Sequence, residues 1–108
     1  MESSDAVLVL TTLPGSADTE AFGRALVDER LAACVSVLDG IRSVYRWEGD
    51  VVCDTERQVL IKTTAARVSA LGERFRSLHP YTVPEFLVLP VADGGAAYLA
   101  WVRQSVSP

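Results

Sequence analysis

The chain has no asparagine, a single lysine at Lys62, a single histidine at His79, and only two cysteines, Cys34 and Cys53, among its 108 residues. Two cysteines cannot build a disulfide framework, and both are expected as free thiols of a reducing compartment. No apolar run approaches the length that crosses a bilayer, and Glu2 and Asp5 stand where a secretory signal needs positive charge. The protein is therefore expected in the cytoplasm, with no membrane partner. Positive charge is also short, since ten Lys and Arg face fourteen Asp and Glu, for a formal charge of -4. Such a field repels phosphate backbones, so nucleic acid is not expected as a partner. The nearest thing to a basic patch, Arg42 and Arg46, is followed at once by Glu48 and Asp50 and reads as a solvated face of mixed charge. Neither a Walker loop nor a G-x-G-x-x-G run occurs, which removes the familiar nucleotide-phosphate sites.

What is present is the composition of a globular protein, 49% hydrophobic and 22% charged. No linker or low-complexity stretch divides it, so residues 1–108 are read as one domain with its core between about residues 6 and 106. The ends, "MESSD" and "SVSP", lack an apolar pattern that would tie them down. "AVLVLTTL", Ala6 to Leu13, is a continuous β-branched run of the kind found in a central strand. A Pro-Gly break follows, then an N-cap at Ser16 or Asp18 and a helix with Phe22, Ala25 and Leu26 on its apolar stripe.

From Cys34 the pattern alternates in two registers. Val35 and Val37 share one face; after Asp39-Gly40 the set Ile41, Ser43, Tyr45 and Trp47 shares another, and a glycine at a phase change marks a bulge. "WEGD" is a tight-turn signal, and the strand returns through "VVCDTERQVLIKTT". Arms this long overhang a small core and leave edges that a partner chain must cover. Val68, Leu71, Phe75 and Leu78 define a second helix, which Pro80 forces to end near His79. "FLVLPV" is a short strand that Pro90 confines to an edge, and a last helix carries Tyr98, Leu99, Trp101 and Val102. The expected fold is α+β: a ferredoxin-like split βαβ antiparallel sheet with a long hairpin between its second and third strands and an added C-terminal helix.

Folding the hairpin about Glu48 to Asp50 places Cys34 opposite about Thr63 and beside Lys62, whose ammonium favours a thiolate. Cys53 falls near the tip, too far along the strands for a disulfide with Cys34. The stretch "HPYTVPE" concentrates an imidazole, a phenol and a carboxylate between two prolines. His79 serves there either as a cap on the last helical carbonyls or as a metal ligand together with Cys34 and Glu85. One histidine and two cysteines match no closed zinc pattern, so a metal site is expected between subunits rather than within a chain. The aromatic residues Trp47, Tyr81, Tyr98 and Trp101 suit packing at an interface or at the lip of a crevice. An acylphosphatase-like reading of this fold requires a catalytic asparagine, and the chain has none.

"LVDERLAACVSV", "SVYRWEGDV", "ERQVLIKT", "HPYTVPEFLVLPV" and "AAYLAWV", in this order, resemble the CutA divalent-cation tolerance proteins from about Val7 to Val106. Ser36 departs from the asparagine usual after "ACV", and Thr82 from the commoner glutamate of the "HPY" motif. The resemblance implies a homotrimer built by strand pairing across subunits, divalent-cation binding with copper foremost, and no enzymatic reaction. It also implies an intersubunit crevice lined by Cys34, Trp47, Lys62, His79, Tyr81 and Glu85, in which Cys34, His79 and Glu85 are the metal ligands. Three other readings stand beside it. One is a PII-like trimeric signalling module that binds a small-molecule effector in intersubunit clefts. Another is an enzyme with Cys34 as nucleophile, activated by Lys62 or His79. In the third, the 79–85 loop merely holds a stable trimer together.

Overall fold

The computed structural model describes residues 5–108. The expectation of a loose "MESSD" end falls, for residues 1–4, outside the described residues. Strand β1 (Ala6–Pro14) is followed by helix α1 (Thr19–Asp28), and strands β2 (Cys34–Trp47) and β3 (Asp50–Thr64) form the long hairpin. A 3-10 turn over Ala65–Arg67 leads into α2 (Val68–Leu78), then β4 (Leu87–Pro90) and α3 (Ala96–Ser105). The strands lie in the order β2-β3-β1-β4, and every pairing is antiparallel. This is the expected split βαβ sheet, with Pro90 on an edge strand that, among the described residues, pairs with β1 alone.

Local chemistry accounts for the element ends. The Asp18 carboxylate accepts a hydrogen bond from the Ala21 amide at 3.0 Å and so caps α1. Helix α2 stops at His79, whose ψ of 134° is the extended conformation imposed by the following proline. At the hairpin tip Glu48 and Gly49 both take positive φ, 50° and 87°, as a two-residue turn that follows the strand twist requires. Gly40, with φ 70°, sits in the register break between Leu38 and Ile41.

That break decides which side chains share a face. Cross-strand partners place Cys34, Ser36 and Leu38 on the same side as Lys62, Leu60 and Gln58. Beyond the bulge the parity of β2 inverts, and the odd residues Ile41, Ser43, Tyr45 and Trp47 join that side, opposite Glu56, Asp54, Val52 and Asp50. The opposite face of the sheet is covered by α1 and α2. Val7, Val9, Leu13, Val59 and Ile61 there pack with Phe22, Leu26, Leu71 and Phe75 in one core.

The C-terminal stretch corrects an expectation. "SVSP" is tied down, because Val106 is buried with Ala33 and Val102 in a second cluster, and the Ser107 hydroxyl donates to the Arg103 carbonyl at 2.9 Å. One apolar residue beyond the last turn is enough to anchor the end when Ala33, just ahead of β2, and Val102 of α3 offer a seat.

Candidate functional site

The uncovered face of the sheet carries chemistry at both ends and apolar side chains between them. At the β2 start, Cys34 pairs with Lys62, one residue from the position expected from the sequence. The Lys62 ammonium donates to the Ser36 hydroxyl at 2.9 Å and lies 3.8 Å from the Cys34 sulfur, which is itself 3.5 Å from that hydroxyl. Ser36 thus serves as the polar partner of Lys62. Among the described residues no carboxylate pairs with Lys62. Cys53 is a free, exposed thiol near the tip, opposite Val44, so the two cysteines stay apart as expected.

The other end begins six positions further along β3, about 20 Å away at the rise of a strand. There the 79–86 loop folds back over Thr12 and Glu56. The His79 ring is buried against the Phe75 ring at 4.9 Å. Its Nδ1 accepts from the Tyr81 amide at 3.1 Å, which leaves the proton on Nε2 to be donated to the Thr12 carbonyl at 2.7 Å. Both ring nitrogens are therefore engaged. Burial lowers the imidazole pKa below its ordinary 6.5, partly offset by the Thr12 hydrogen bond and the Glu56 charge. Expected as a cap or a ligand, His79 acts within the chain as a clamp that fastens the loop to β1.

Tyr81 donates its hydroxyl to Glu56 at 2.8 Å, and this carboxylate is buried, 7% exposed. Burial first, then the hydrogen bond to Glu56, raises the Tyr81 pKa far above that of an ordinary tyrosine, so the phenol stays neutral. Tyr45 likewise donates to Asp54, which raises its own pKa. Glu85 is exposed, with Gln58 Nε2 at 3.5 Å. Trp47 stands half exposed on the hairpin arm.

The structure thus brings together Trp47, His79, Tyr81 and Glu85, and it sets Cys34 and Lys62 apart from them within one chain. Among the described residues no group of three or more His, Cys, Asp or Glu converges as a metal site. Glu56 and Tyr45 belong to the loop end and were not singled out from the sequence. The alternation of Glu56, Gln58, Leu60 and Lys62 along one face was the signal available for Glu56. Between the hairpin arm and the loop lies a cavity of about 750 Å³, with Tyr45, Trp47, Glu56, Tyr81 and Glu85 in its walls. A larger, shallower depression of about 930 Å³ runs between α1 and β2; of its charged residues Glu20, Arg24 and Asp28, the first two pair with each other.

A sequence profile described as CutA1 divalent ion tolerance protein matches residues 7–105. The divalent-cation tolerance protein CutA of Thermus thermophilus is 48% identical over 98 residues, covering 91% of this chain and 95% of that protein. That of Pectobacterium atrosepticum is 43% identical over 102 residues, covering 94% and 93%. Among solved structures, CutA from Xylella fastidiosa superposes with a TM-score of 0.92 at 42% identity, covering 96% of this chain and all of the other.

Proposed function

This chain belongs to the CutA1 divalent ion tolerance family, and we propose that it acts in the cytoplasm as a homotrimer that binds divalent cations, copper foremost, at sites shared between subunits. The observation that carries this reading is the uncovered sheet face, where Leu8, Leu10, Leu38, Leu60, Leu87 and Leu89 form an apolar field with ligand-bearing groups at both ends. Thiolate and imidazole suit copper, and Cys34 lies too far along the sheet from His79 and Glu85 to share an ion with them in one chain. Packing further copies on that face is the way to set the thiol of one protomer beside the imidazole and carboxylate of another. Of the three ligands, Cys34 and Glu85 are available as they stand, whereas His79 joins only when its Nδ1 is released from the Tyr81 amide. The count of three copies rests on the resemblance. Membership in a family named for cation tolerance attaches no reaction to the chain, and it is read as a binding protein, not an enzyme.

Equilibrium dialysis of the reduced protein against buffered copper tests the reading, with sedimentation equilibrium giving the mass. The expected result is a three-protomer mass and a whole-number copper ratio per trimer, with affinity falling at least about tenfold in Cys34→Ser, His79→Ala and Glu85→Gln. Copper binding indifferent to all three substitutions removes these residues as the site.

A second reading, the PII-like module with a small-molecule effector, is favoured by one observation. The cavity walled by Tyr45, Trp47 and Tyr81 is of the size that takes an organic ligand.

A further inference from the structure

We infer that Arg57 is a positioning residue, which sets the angle at which the hairpin arm leaves the sheet and so fixes where Tyr45 and Trp47 stand. This role is independent of the metal and effector readings. Arg57 shares the helix-covered face of β3 with the core residues Val59 and Ile61, whereas the proposed packing of further copies uses the opposite face. It acts through contacts made inside one chain and needs no access from solvent.

The register places Arg57 where the arm begins. Strand β1 accompanies β3 only as far as the pair of Pro14 with Glu56, and from there to the tip β3 has β2 alone beside it. A two-stranded ribbon twists more strongly than a wider sheet and is marginal by itself, so its direction is decided at its base. There Leu38 pairs with Gln58 and Ile41 with Glu56, which leaves Asp39 and Gly40 together opposite Arg57. Two residues facing one make a bulge, and a bulge bends its strand and re-aims the side chains beyond it. This one brings Tyr45 and Trp47 to the side of Glu56.

The Arg57 side chain ties that bulge to the helix layer. Its Nε lies 3.2 Å from Asp39 Oδ1, and its Nη1 donates to the Ala17 carbonyl at 3.2 Å and to the Thr19 hydroxyl at 3.1 Å. One rigid, planar guanidinium thus joins the bulge of β2, the β1–α1 connection and the first residue of α1. The side chain of Arg57 is 30% exposed and that of Asp39 76%. An ion pair so open to water adds little stability, and the helix dipole disfavours a cation at a helix start. Neither charge pairing nor capping accounts for the arrangement. What the fork does is hold Asp39 at a set place relative to α1.

The test is double electron–electron resonance between spin labels on the arm and on the helix layer of the full chain, in the assembly it forms. One label sits on Cys53, a free and exposed thiol near the tip, and the other on Glu73→Cys at an exposed position of α2, with Cys34→Ser keeping the labelling to those two sites. Refolding with an excess of unlabelled chain gives assemblies that carry one labelled copy. Arg57→Gln and Asp39→Ala are each expected to widen the distance distribution at least about twofold relative to the native pair. Because the two side chains form one link, the double variant is expected to match the larger single effect. Arg24→Gln removes an arginine that pairs within α1 and is expected to change nothing. Asp39 is exposed, so Asp39→Ala keeps the test decisive even where Arg57→Gln folds poorly. A distribution unchanged in Asp39→Ala and in Arg57→Gln overturns the inference, whatever stability is lost, and leaves Gly40 or neighbouring copies to set the arm. A double variant wider than both single ones overturns the link between the two residues, and an equal effect of Arg24→Gln overturns the special place of Arg57.

Discussion

The two faces of the sheet are built from nearly the same amino acids and meet opposite surroundings. On the helix-covered face Val9, Val59 and Ile61 are wholly excluded from solvent. On the other face Leu38 and Leu87 are each 54% exposed and Leu89 is 40% exposed. A sheet that meant to keep one side in water would alternate apolar with polar residues, and β1 and β4 do not. Their continuous apolar runs are the pattern of strands buried twice, yet the chain supplies only one cover. Exposed apolar area of this extent is the observation behind the proposed packing of further copies on this face.

The sharpest way to break the comparison is one substitution on each face. Leu26→Ala removes a wholly buried side chain from the core under the covered face and is expected to cost about 2–5 kcal/mol, read from chemical denaturation. Leu89→Asp, on the open face, changes a side chain that the protomer leaves partly in water, so its direct cost to the protomer is about 0.5 kcal/mol or less. Its expected effect is on mass, with the assembly falling to single protomers in sedimentation. A Leu89→Asp chain of unchanged mass and stability means that no second copy covers that face.

Tyr81→Phe probes the border where the apolar field ends. It deletes one hydroxyl and strands the buried Glu56 carboxylate, an expected loss of about 1–2 kcal/mol in unfolding free energy. The same substitution at Tyr45, whose carboxylate partner Asp54 is exposed, is expected to change stability by less than about 0.5 kcal/mol. Equal losses at both positions count against a special role for the Glu56 environment.

Much of this architecture could be read from residue order alone, because its determinants are local. The Glu48-Gly49 turn, the Gly40 bulge and the stop at His79 before Pro80 each follow from one or two residues whose backbone options are few. Counting back from that turn placed Cys34 opposite about Thr63, one residue from its observed partner Lys62. Glu56 was not legible, since it becomes a site residue only through Tyr81, 25 residues further on, and that contact depends on where the loop lands. Nor was the double engagement of His79. A histidine before proline reads as a cap or a ligand, and the clamp emerges only once the position of Thr12, 67 residues away, is known. Long-range contacts between elements, rather than local pattern, carried the information that the sequence reading lacked.

The smallest expected effect concerns that clamp. Burial holds the folded-state pKa of His79 below the ordinary 6.5, so the native chain favours the neutral ring. As pH falls through 6.5 the unfolded chain takes up a proton that the folded chain still refuses, and stability therefore declines. The decline continues until the pH reaches the lowered folded-state value, where the native ring also protonates and the contribution is exhausted. His79→Gln retains an amide donor for the Thr12 carbonyl but has nothing to titrate in this range. Comparing unfolding free energies of the two chains between pH 7.5 and pH 5 isolates the effect, since the carboxylates common to both cancel. The expected outcome is a native chain whose stability falls more steeply on acidification than that of His79→Gln. Parallel curves would mean that the ring accepts its second proton without releasing the loop from β1, and that the clamp is a matter of shape rather than of charge.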